Sequence, residues 1–255
     1  MLLASVVDSR SRPLVTVGAD DFVITEGSQS REVLDVHVAD YPVVILLDDG
    51  VDGASQQVLP AITRAAARFI SRIGQRPVAV GTLSLADRFV ATFEDDRAEV
   101  LSRVEQLAAT SAPAVPLEAI SYAARIVADT GAPFSAIVIL TSRALGFVES
   151  TATERLPAVL DSGATVHVIA ARLSPADDRA PDAPDLLRGL AEQTHGQYTG
   201  IFTTASYAIA LDRLADRMAT EMMIEYLVPP GPAAGDVRVG ARIPGARVLG
   251  LGVSK

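Results

Sequence analysis

The stretch PVVILLDDGVD, residues 42–52, decides the fold of this chain. Its apolar residues run without interruption into Asp48, Asp49 and Asp52, so a strand buried on both faces ends abruptly in an acidic loop. In open α/β sheets the binding crevice lies outside the carboxyl ends of the parallel strands. The stretch therefore predicts a central strand that delivers acidic side chains to a ligand edge.

Residues on the carboxyl side of this stretch alternate between strand and helix patterns. Apolar residues at spacings of three and four predict a helix over 54–73, and continuous apolar runs predict core strands over 134–141 and 165–170. This alternation favours a mainly parallel, doubly wound sheet of the Rossmann-like kind. The fold class expected is α/β.

Both ends of the chain instead show short runs of alternating apolar and polar residues between turns. Neither end is long enough to form a stable domain alone, but together they supply enough strands for a small sheet or sandwich. We predict a β domain split between residues 1–41 and 222–255, with the α/β domain of residues 42–221 inserted between its halves. The alternative is that the ends merely extend the α/β sheet.

Composition excludes several functions. The net charge is -9, which argues against a nucleic-acid surface. Cysteine is absent, so disulfides, thiolate catalysis and cysteine-ligated metals are excluded. The longest apolar runs fall far short of the roughly 20 residues that span a bilayer, and the first residues lack a secretion signal, so we expect a soluble chain. Lys255 is the only lysine, which removes a phosphate-loop lysine or a Schiff base.

Several stretches together resemble a von Willebrand factor type A (VWA) domain, and more narrowly the VWA-related proteins common in acidobacteria. The stretches that carry this resemblance, beside residues 42–52, are Val7–Val15, Asp21–Gly27, Val33–Val38, Phe134–Ser142, Leu190–Gly196 and Glu225–Val228. Within the stretch Leu190–Gly196, His195 stands where the family usually has a glycine. The resemblance implies a non-enzymatic adhesion or protein-interaction module, with an unknown protein partner and an extracellular or periplasmic location.

In typical VWA domains an Asp-x-Ser-x-Ser loop, a threonine and a second aspartate bind a divalent cation, whose shell a carboxylate of the partner completes. The first aspartate of that pattern matches Asp48, whereas its two serines fall on Gly50 and Asp52. The residue-by-residue match puts Val115 in place of the threonine and Ser142 in place of the second aspartate.

These replacements remove oxygen ligands that magnesium requires, because Mg²⁺ demands near-octahedral oxygen coordination. We therefore predict a degenerate site without a cofactor, or at most weak Mg²⁺ or Mn²⁺ binding through Asp48, Asp52 and Ser142. Carboxylates in one loop repel when no cation is present. Arg143 follows Ser142, and we hypothesise that its guanidinium takes the place of the metal; a surface arginine without a specific partner is the alternative.

Two other functions stay open at this point. The first is a metal-dependent adhesion module with an altered cation site. The second is an α/β hydrolase or phosphatase of unrecognised type, because haloacid-dehalogenase-like phosphotransferases also place aspartates after a buried strand. The spacing around Asp48 does not give their Asp-x-Asp pair, and a lysine that would steady the phosphoryl charge is missing. We therefore expect a protein that is not an enzyme.

Overall fold

A computed structural model describes residues 1–50, 55–142, 149–171, 186–228 and 235–254, with the first residues of two helices (55–57 and 149–153) described by their backbone alone. The elements in chain order are β1 (Leu2–Val7), a 3₁₀ turn (Ala19–Asp21), β2 (Phe22–Glu26), β3 (Gln29–Arg31), β4 (Val33–Val38), β5 (Val43–Leu47), α1 (Ser55–Arg72), β6 (Val78–Thr82), β7 (Phe89–Ala91), α2 (Arg97–Glu105), α3 (Pro116–Asp129), β8 (Ala136–Thr141), α4 (Glu149–Asp161), β9 (Thr165–Ala171), α5 (Leu186–Gln193), β10 (Tyr198–Ile201), α6 (Ser206–Met218), β11 (Glu221–Tyr226), β12 (Val237–Ala241) and β13 (Arg247–Val253).

The chain divides into two compact units. The terminal unit contains Met1–Asp40 and Asp216–Lys255, and the α/β unit contains Tyr41–Ala215. The α/β unit holds a six-stranded sheet in the order β10-β9-β8-β5-β6-β7, whereas the described strands of the terminal unit pair antiparallel. The predicted fold class, a mainly parallel α/β sheet with antiparallel β structure from both chain ends, is confirmed.

Strand β5 lies in the middle of the six-stranded sheet, as its sequence predicts. It pairs in parallel with β6 on one side and with β8 on the other, in a register that sets Leu47 beside Thr82 and Leu140. All of its residues are buried, which is why the strand is apolar throughout rather than alternating. Only β7, at one border of the sheet, runs antiparallel to its neighbour.

Helix α3 shows how the local sequence starts and orients a helix. Pro116 occupies its first turn, where the missing N–H costs nothing because that group has no partner within the helix. Leu117, Ile120, Ala124 and Val127 then face inward at the spacing of one helical stripe and are buried. They pack into a cluster with apolar residues of β5 and β8, so α3 covers one face of the sheet.

The terminal unit contains two antiparallel sheets. One has the strand order β13-β1-β11-β4, and the other has the order β12-β2-β3. Its apolar cluster includes Leu2, Val6, Phe22, Ile24 and Ile224, so residues from both ends of the chain share one core.

His195, at the position where the VWA-related family usually has a glycine, lies in the turn after α5. His195 has a φ of 57°, in the left-handed region that commonly ends helices and that glycine adopts without strain. The N–H of His195 donates to the carbonyl of Glu192, and the N–H of Gly196 donates to that of Ala191. His195 therefore occupies the C-terminal capping position in a conformation unfavourable to its side chain.

We predict that His195→Gly stabilises the protein. Glycine removes the steric cost of the left-handed conformation, and we expect a gain of about 1 kcal/mol in the free energy of unfolding. Urea denaturation of the two proteins measures this difference. His195→Ala is the control, because alanine keeps the Cβ atom and should give no such gain; equal stabilisation by both changes would contradict the explanation.

Candidate functional site

The Asp48 carboxylate lies at the carboxyl end of β5 and is bound by Ser142. Its Oδ2 accepts the backbone N–H of Ser142 at 3.0 Å and the Ser142 hydroxyl at 2.7 Å. The side chain is almost fully buried, with 1% of its surface exposed. Because a buried carboxylate is costly without donors, the two bonds from Ser142 are a main reason that it is tolerated here.

Asp49 is held in the same way from the other side. Its Oδ1 accepts the backbone N–H of Ser84 at 3.2 Å, and its Oδ2 accepts the Ser84 hydroxyl at 2.5 Å. Asp49 is 3% exposed. The hydroxyl of Thr82 lies 3.4 Å from that of Ser84, which extends this polar cluster along β6.

The two serines come from the strands that flank β5. Ser142 directly follows β8, and Ser84 lies just beyond the end of β6, so parallel pairing brings both to the edge where β5 ends. Each serine gives one aspartate both a backbone N–H and a hydroxyl. Asp48 is therefore hydrogen-bonded on the β8 side and Asp49 on the β6 side. Both carboxylates accept their hydrogen bonds from uncharged donors.

Tyr207 lies beside this cluster, at the start of α6. Its hydroxyl donates to the carbonyl of Thr141 at 2.6 Å, in a position with no exposed surface. Burial raises the pKa of the Tyr207 phenol, and the negative charge of Asp48 raises this pKa further. The phenol therefore stays protonated and acts as a hydrogen-bond donor at the edge of the sheet.

Replacing Tyr207 by phenylalanine should flatten the alkaline decline in stability. The folded protein keeps a phenol proton that the unfolded chain releases above about pH 10, so the unfolded state binds fewer protons there. Below about pH 10, Tyr207 makes its full contribution to the free energy of unfolding. Above that pH, the contribution falls by about 1.4 kcal/mol per pH unit.

Denaturant titrations between pH 8 and pH 12 measure this slope for wild type and Tyr207→Phe. Tyr122→Phe, at a half-buried position on α3, shows what the loss of a phenol elsewhere does. If wild type and Tyr207→Phe decline in parallel, the proton on Tyr207 does not contribute as described.

Gly50 and Val115 lie at the same edge of the sheet. Gly50 pairs with Thr110 in a single parallel bridge, and the N–H of Thr110 donates to the carbonyl of Asp49 at 2.9 Å. The N–H of Val115 donates to the carbonyl of Leu83 at 2.7 Å, next to the end of β6. Glycine has no side chain and the valine side chain is a hydrocarbon, so the oxygens that these two positions offer are those of the backbone.

Asp52 and Arg143 lie outside the described residues. The hypothesis that Arg143 replaces a cation beside the acidic loop therefore stays a prediction. Within the described ranges, the structure brings together Asp48, Gly50, Val115 and Ser142 from the predicted set. It adds Ser84 and Tyr207, which sequence reasoning missed.

A groove of about 640 Å³ lies between α3 and α4, away from the acidic pair. Its lining includes Ser121, Tyr122, Arg125 and Arg155 and contains neither Asp48 nor Asp49. Among the described residues, no group of three or more histidine, cysteine, aspartate or glutamate side chains is arranged to hold a metal ion. No described helix combines the length and apolarity needed to cross a membrane.

Several solved structures are similar to this chain. A von Willebrand factor type A protein from Catenulispora acidiphila matches 86% of this chain with a TM-score of 0.56 and 15% sequence identity. The chain adopts the VWA fold. It spans 50% of that protein's length, so the match covers about half of the bacterial protein.

Two further solved structures match a smaller share of this chain. The conserved hypothetical protein BatB from Bacteroides thetaiotaomicron matches 70% of this chain over 98% of its own length, with a TM-score of 0.51 and 19% identity. Proximal thread matrix protein 1 of the mussel byssus matches 70% of this chain over 48% of its own length, with a TM-score of 0.56 and 9% identity. At these identities the likeness shows the fold alone.

No protein-family model and no curated protein sequence matches the chain. The general resemblance to VWA domains is confirmed at the level of fold. The narrower resemblance to acidobacterial proteins and the altered cation site stay predictions.

Proposed function

We propose that this chain is a non-enzymatic protein-interaction module of the VWA type, serving adhesion or scaffolding, which binds its partner through the loops at the carboxyl edge of the sheet without a metal ion. The proposal rests on the hydrogen bonds that Ser142 and Ser84 donate to the buried carboxylates of Asp48 and Asp49. A carboxylate that already accepts an N–H and a hydroxyl, in a buried position, is poorly placed to coordinate a cation for a partner.

The donor set supports binding without a cation. Mg²⁺ takes six oxygen ligands at about 2.0–2.1 Å in near-ideal octahedral geometry. Gly50 and Val115 offer no side-chain oxygen, and the hydroxyl of Ser142 is directed at Asp48. Among the described residues of the predicted site, a six-oxygen shell would have to be completed almost entirely by water, which does not fit a resident ion.

The same geometry speaks against an enzyme that uses Asp48 as its nucleophile or base. A catalytic carboxylate must reach the reacting atom of a substrate, directly or through one water. Asp48 is almost fully buried and accepts two hydrogen bonds on one oxygen. Turnover of a phosphate ester that disappears in Asp48→Asn would refute this interpretation.

Exposed apolar side chains at the carboxyl edge suit a protein partner. Phe202 directly follows β10 and is 72% exposed, and Leu85 directly follows Ser84 and is 46% exposed. Aromatic side chains, Phe among them, are enriched in protein interfaces, where a few residues commonly carry most of the binding energy. We assign Phe202 as a main anchor of the binding surface.

Site-specific photo-cross-linking tests the location of the surface and its independence of metal. A photoreactive residue at Ser111, an exposed position in the loop between Thr110 and Val115, should capture a protein from an extract of the source organism. The same residue at Pro133, exposed at the amino end of β8, should not. Capture at Ser111 should persist in EDTA; equal labelling at both positions, or loss of labelling in EDTA, would contradict the proposal.

The partner recovered in this way then allows a matched test of Phe202. Phe202→Ala should weaken binding about tenfold or more, because burial of an aromatic anchor commonly contributes more than about 1.4 kcal/mol. Leu160→Ala is the control, since this exposed residue lies near the end of α4, before the amino end of β9.

Export of the protein, which the family resemblance implies, stays a prediction.

A further inference from the structure

The groove between α3 and α4 has the size of a binding site for a small molecule. Its volume of about 640 Å³ falls within the range of about 300–1,000 Å³ that is usual for ligand pockets. All of its lining residues belong to the α/β unit, and neither Asp48 nor Asp49 is among them. A ligand in this groove would therefore occupy a site distinct from the acidic pair.

The groove follows one side of each of the two helices. Half of its lining residues are alanine or serine, whose short side chains leave the space between the helices unfilled. Lining residues recur three or four positions apart, so that they share one side of their helix. They include Glu118, Ser121 and Arg125 on α3, and Arg155, Ala158 and Ser162 on α4.

Two buried polar atoms of the groove lack hydrogen-bond partners. Of the buried side-chain nitrogen and oxygen atoms in the described residues, three have no partner, and two of these are Ser121 Oγ and Arg155 Nε. Oε1 of Glu118 lies 3.6 Å from Arg155 Nε, which is beyond hydrogen-bond distance. Because buried polar groups in native proteins are nearly always paired, two unpaired atoms in one groove point to a ligand that pairs with them.

Arg125 brings further donors to the groove. Its guanidinium carbon lies 4.8 Å from the centre of the Tyr122 ring, and the ring of Phe89 packs edge to face on Tyr122 with 5.4 Å between centroids. Over the described ranges, Arg125 forms neither an ion pair nor a hydrogen bond. Stacking on the tyrosine orients the guanidinium, while its N–H groups stay available for a bidentate contact with a carboxylate or a phosphate.

The unpaired groups of the groove are mainly hydrogen-bond donors. A guanidinium such as that of Arg125 has five N–H groups and no acceptor, Arg155 Nε adds one more N–H, and the Ser121 hydroxyl can donate as well. Groups of this kind are satisfied by acceptor oxygens. The groove therefore suits a ligand that carries an oxyanion.

The acidic residues of the groove restrict the size of that anion. Glu118 forms an ion pair with Arg155, whereas Asp87 and Asp161 are exposed, so that water and salt screen their charge. A polyanion that extended along the groove would meet these carboxylates and be repelled. A ligand with a single small anionic group at the donors avoids this repulsion.

We propose that the α3–α4 groove binds a small organic molecule that carries one carboxylate or one phosphate group. Arg125 is the main anchor of the oxyanion, with Ser121 Oγ and Arg155 Nε as further donors. The apolar body of the ligand packs against Ala124 and Ala158, where the helices leave space. Carboxylate and phosphate offer the same bidentate acceptor geometry to an arginine, and the experiment distinguishes them.

Isothermal titration calorimetry with four probes at low ionic strength tests the ligand chemistry. Phenyl phosphate and phenylacetate each combine an oxyanion with an apolar ring, whereas inorganic phosphate lacks the ring and benzyl alcohol lacks the charge. We expect phenyl phosphate or phenylacetate to bind with a Kd below about 1 mM, and the other two probes to bind at least about tenfold more weakly. The tighter of the two oxyanion probes shows whether the groove favours phosphate or carboxylate.

Three variants locate the binding in the groove. Arg125→Gln removes the guanidinium and should weaken binding of the tighter probe about tenfold or more. Arg188→Gln is the matched control and should bind as wild type does, since Arg188 also stacks on a tyrosine, 4.5 Å from the centre of the Tyr198 ring, but lies outside the groove. Ala158→Leu fills the groove from an exposed position on α4 and should also weaken binding about tenfold.

Thermal unfolding of each variant shows that a loss of binding is not a loss of folding, and we expect an unchanged Tm for Arg125→Gln and Ala158→Leu. The proposal is overturned if neither oxyanion probe binds at up to about 10 mM. It is also overturned if benzyl alcohol or inorganic phosphate binds as tightly as the oxyanion probes, or if folded Arg125→Gln binds as tightly as Arg188→Gln.

Discussion

Gly196→Ala is expected to destabilise the protein by about 3 kcal/mol or more. A Cβ atom at this position would lie 1.8 Å from the carbonyl oxygen of Val166 and 2.6 Å from its carbonyl carbon. Both atoms belong to the backbone of β9, so no change of side-chain rotamer relieves the overlap. The cost is that of severe overpacking, at the upper end of the range for single substitutions.

The surrounding hydrogen bonds make relaxation harder. The N–H of Gly196 donates to Ala191 at 2.7 Å, and the carbonyl of the next residue, Gln197, accepts the N–H of Val168 at 2.8 Å. Moving Gly196 away from β9 would weaken both bonds. Urea denaturation, read as the midpoint and as the free energy of unfolding, measures the loss.

Gly189→Ala is the matched control for this prediction. Gly189 lies within α5, and a Cβ atom there would meet nothing within 4 Å. Alanine favours the helix over glycine, so we expect this variant to gain about 0.5–1 kcal/mol. Two glycine-to-alanine changes seven residues apart should therefore shift stability in opposite directions; shifts of the same sign would contradict the packing of α5 against β9.

Asp48→Ala is expected to cost about 2–4 kcal/mol. The substitution removes the carboxylate oxygen that accepts the buried backbone N–H and the hydroxyl of Ser142, and the loss of an acceptor costs about 1–3 kcal/mol for each buried donor. Relief of repulsion with the adjacent Asp49 carboxylate offsets part of the loss. Chemical denaturation measures the difference from wild type.

A double-mutant cycle with Ser142→Ala isolates the bond from the hydroxyl. If the Ser142 hydroxyl stabilises the folded state through Asp48, the double variant should be more stable than the sum of the single losses predicts, by about 1 kcal/mol. Asp87→Ala, an exposed acid in the loop after β6, should change stability by less than about 0.5 kcal/mol. Additive losses at Asp48 and Ser142 would mean that the two side chains do not act as a pair.

The central strand and the sheet around it could be predicted from the sequence. Residues 43–47 are apolar throughout because both faces of β5 are covered. A short unbroken apolar run of this kind is typical of a strand in a parallel sheet. The helix predicted over 54–73 is found as α1, Ser55–Arg72. These patterns are local, since the period of the apolar residues is set by the geometry of the element itself.

The partners of the acidic residues could not be predicted in the same way. Asp48 and Ser142 are 94 positions apart in the chain, and Asp49 and Ser84 are 35 apart. The rule that side chains after neighbouring parallel strands meet at one edge points to Ser142, and applied to β6 it would also have found Ser84. Tyr207 gives no comparable signal, because its contact with Thr141 depends on how the start of α6 packs against the end of β8.

At His195 the side chain departs from the family pattern, whereas the backbone keeps the conformation that the pattern predicts. A histidine where a glycine is usual is a departure from the family pattern. The structure shows that the backbone nevertheless adopts the left-handed conformation that the glycine would provide. The turn is therefore set by the hydrogen bonds that close α5, and the side chain tolerates it.

Titration with Mg²⁺ and with Mn²⁺, followed by thermal unfolding, tests most directly whether Asp48 and Asp49 are satisfied by protein donors in place of a cation. An ion bound with a Kd of about 0.1 mM would, at about 10 mM, add about 2.7 kcal/mol to the free energy of unfolding. We predict that Tm changes by less than about 1 °C at this concentration of either ion, relative to a salt control of equal ionic strength. A saturable rise of several degrees that Asp48→Ala abolishes would contradict this account.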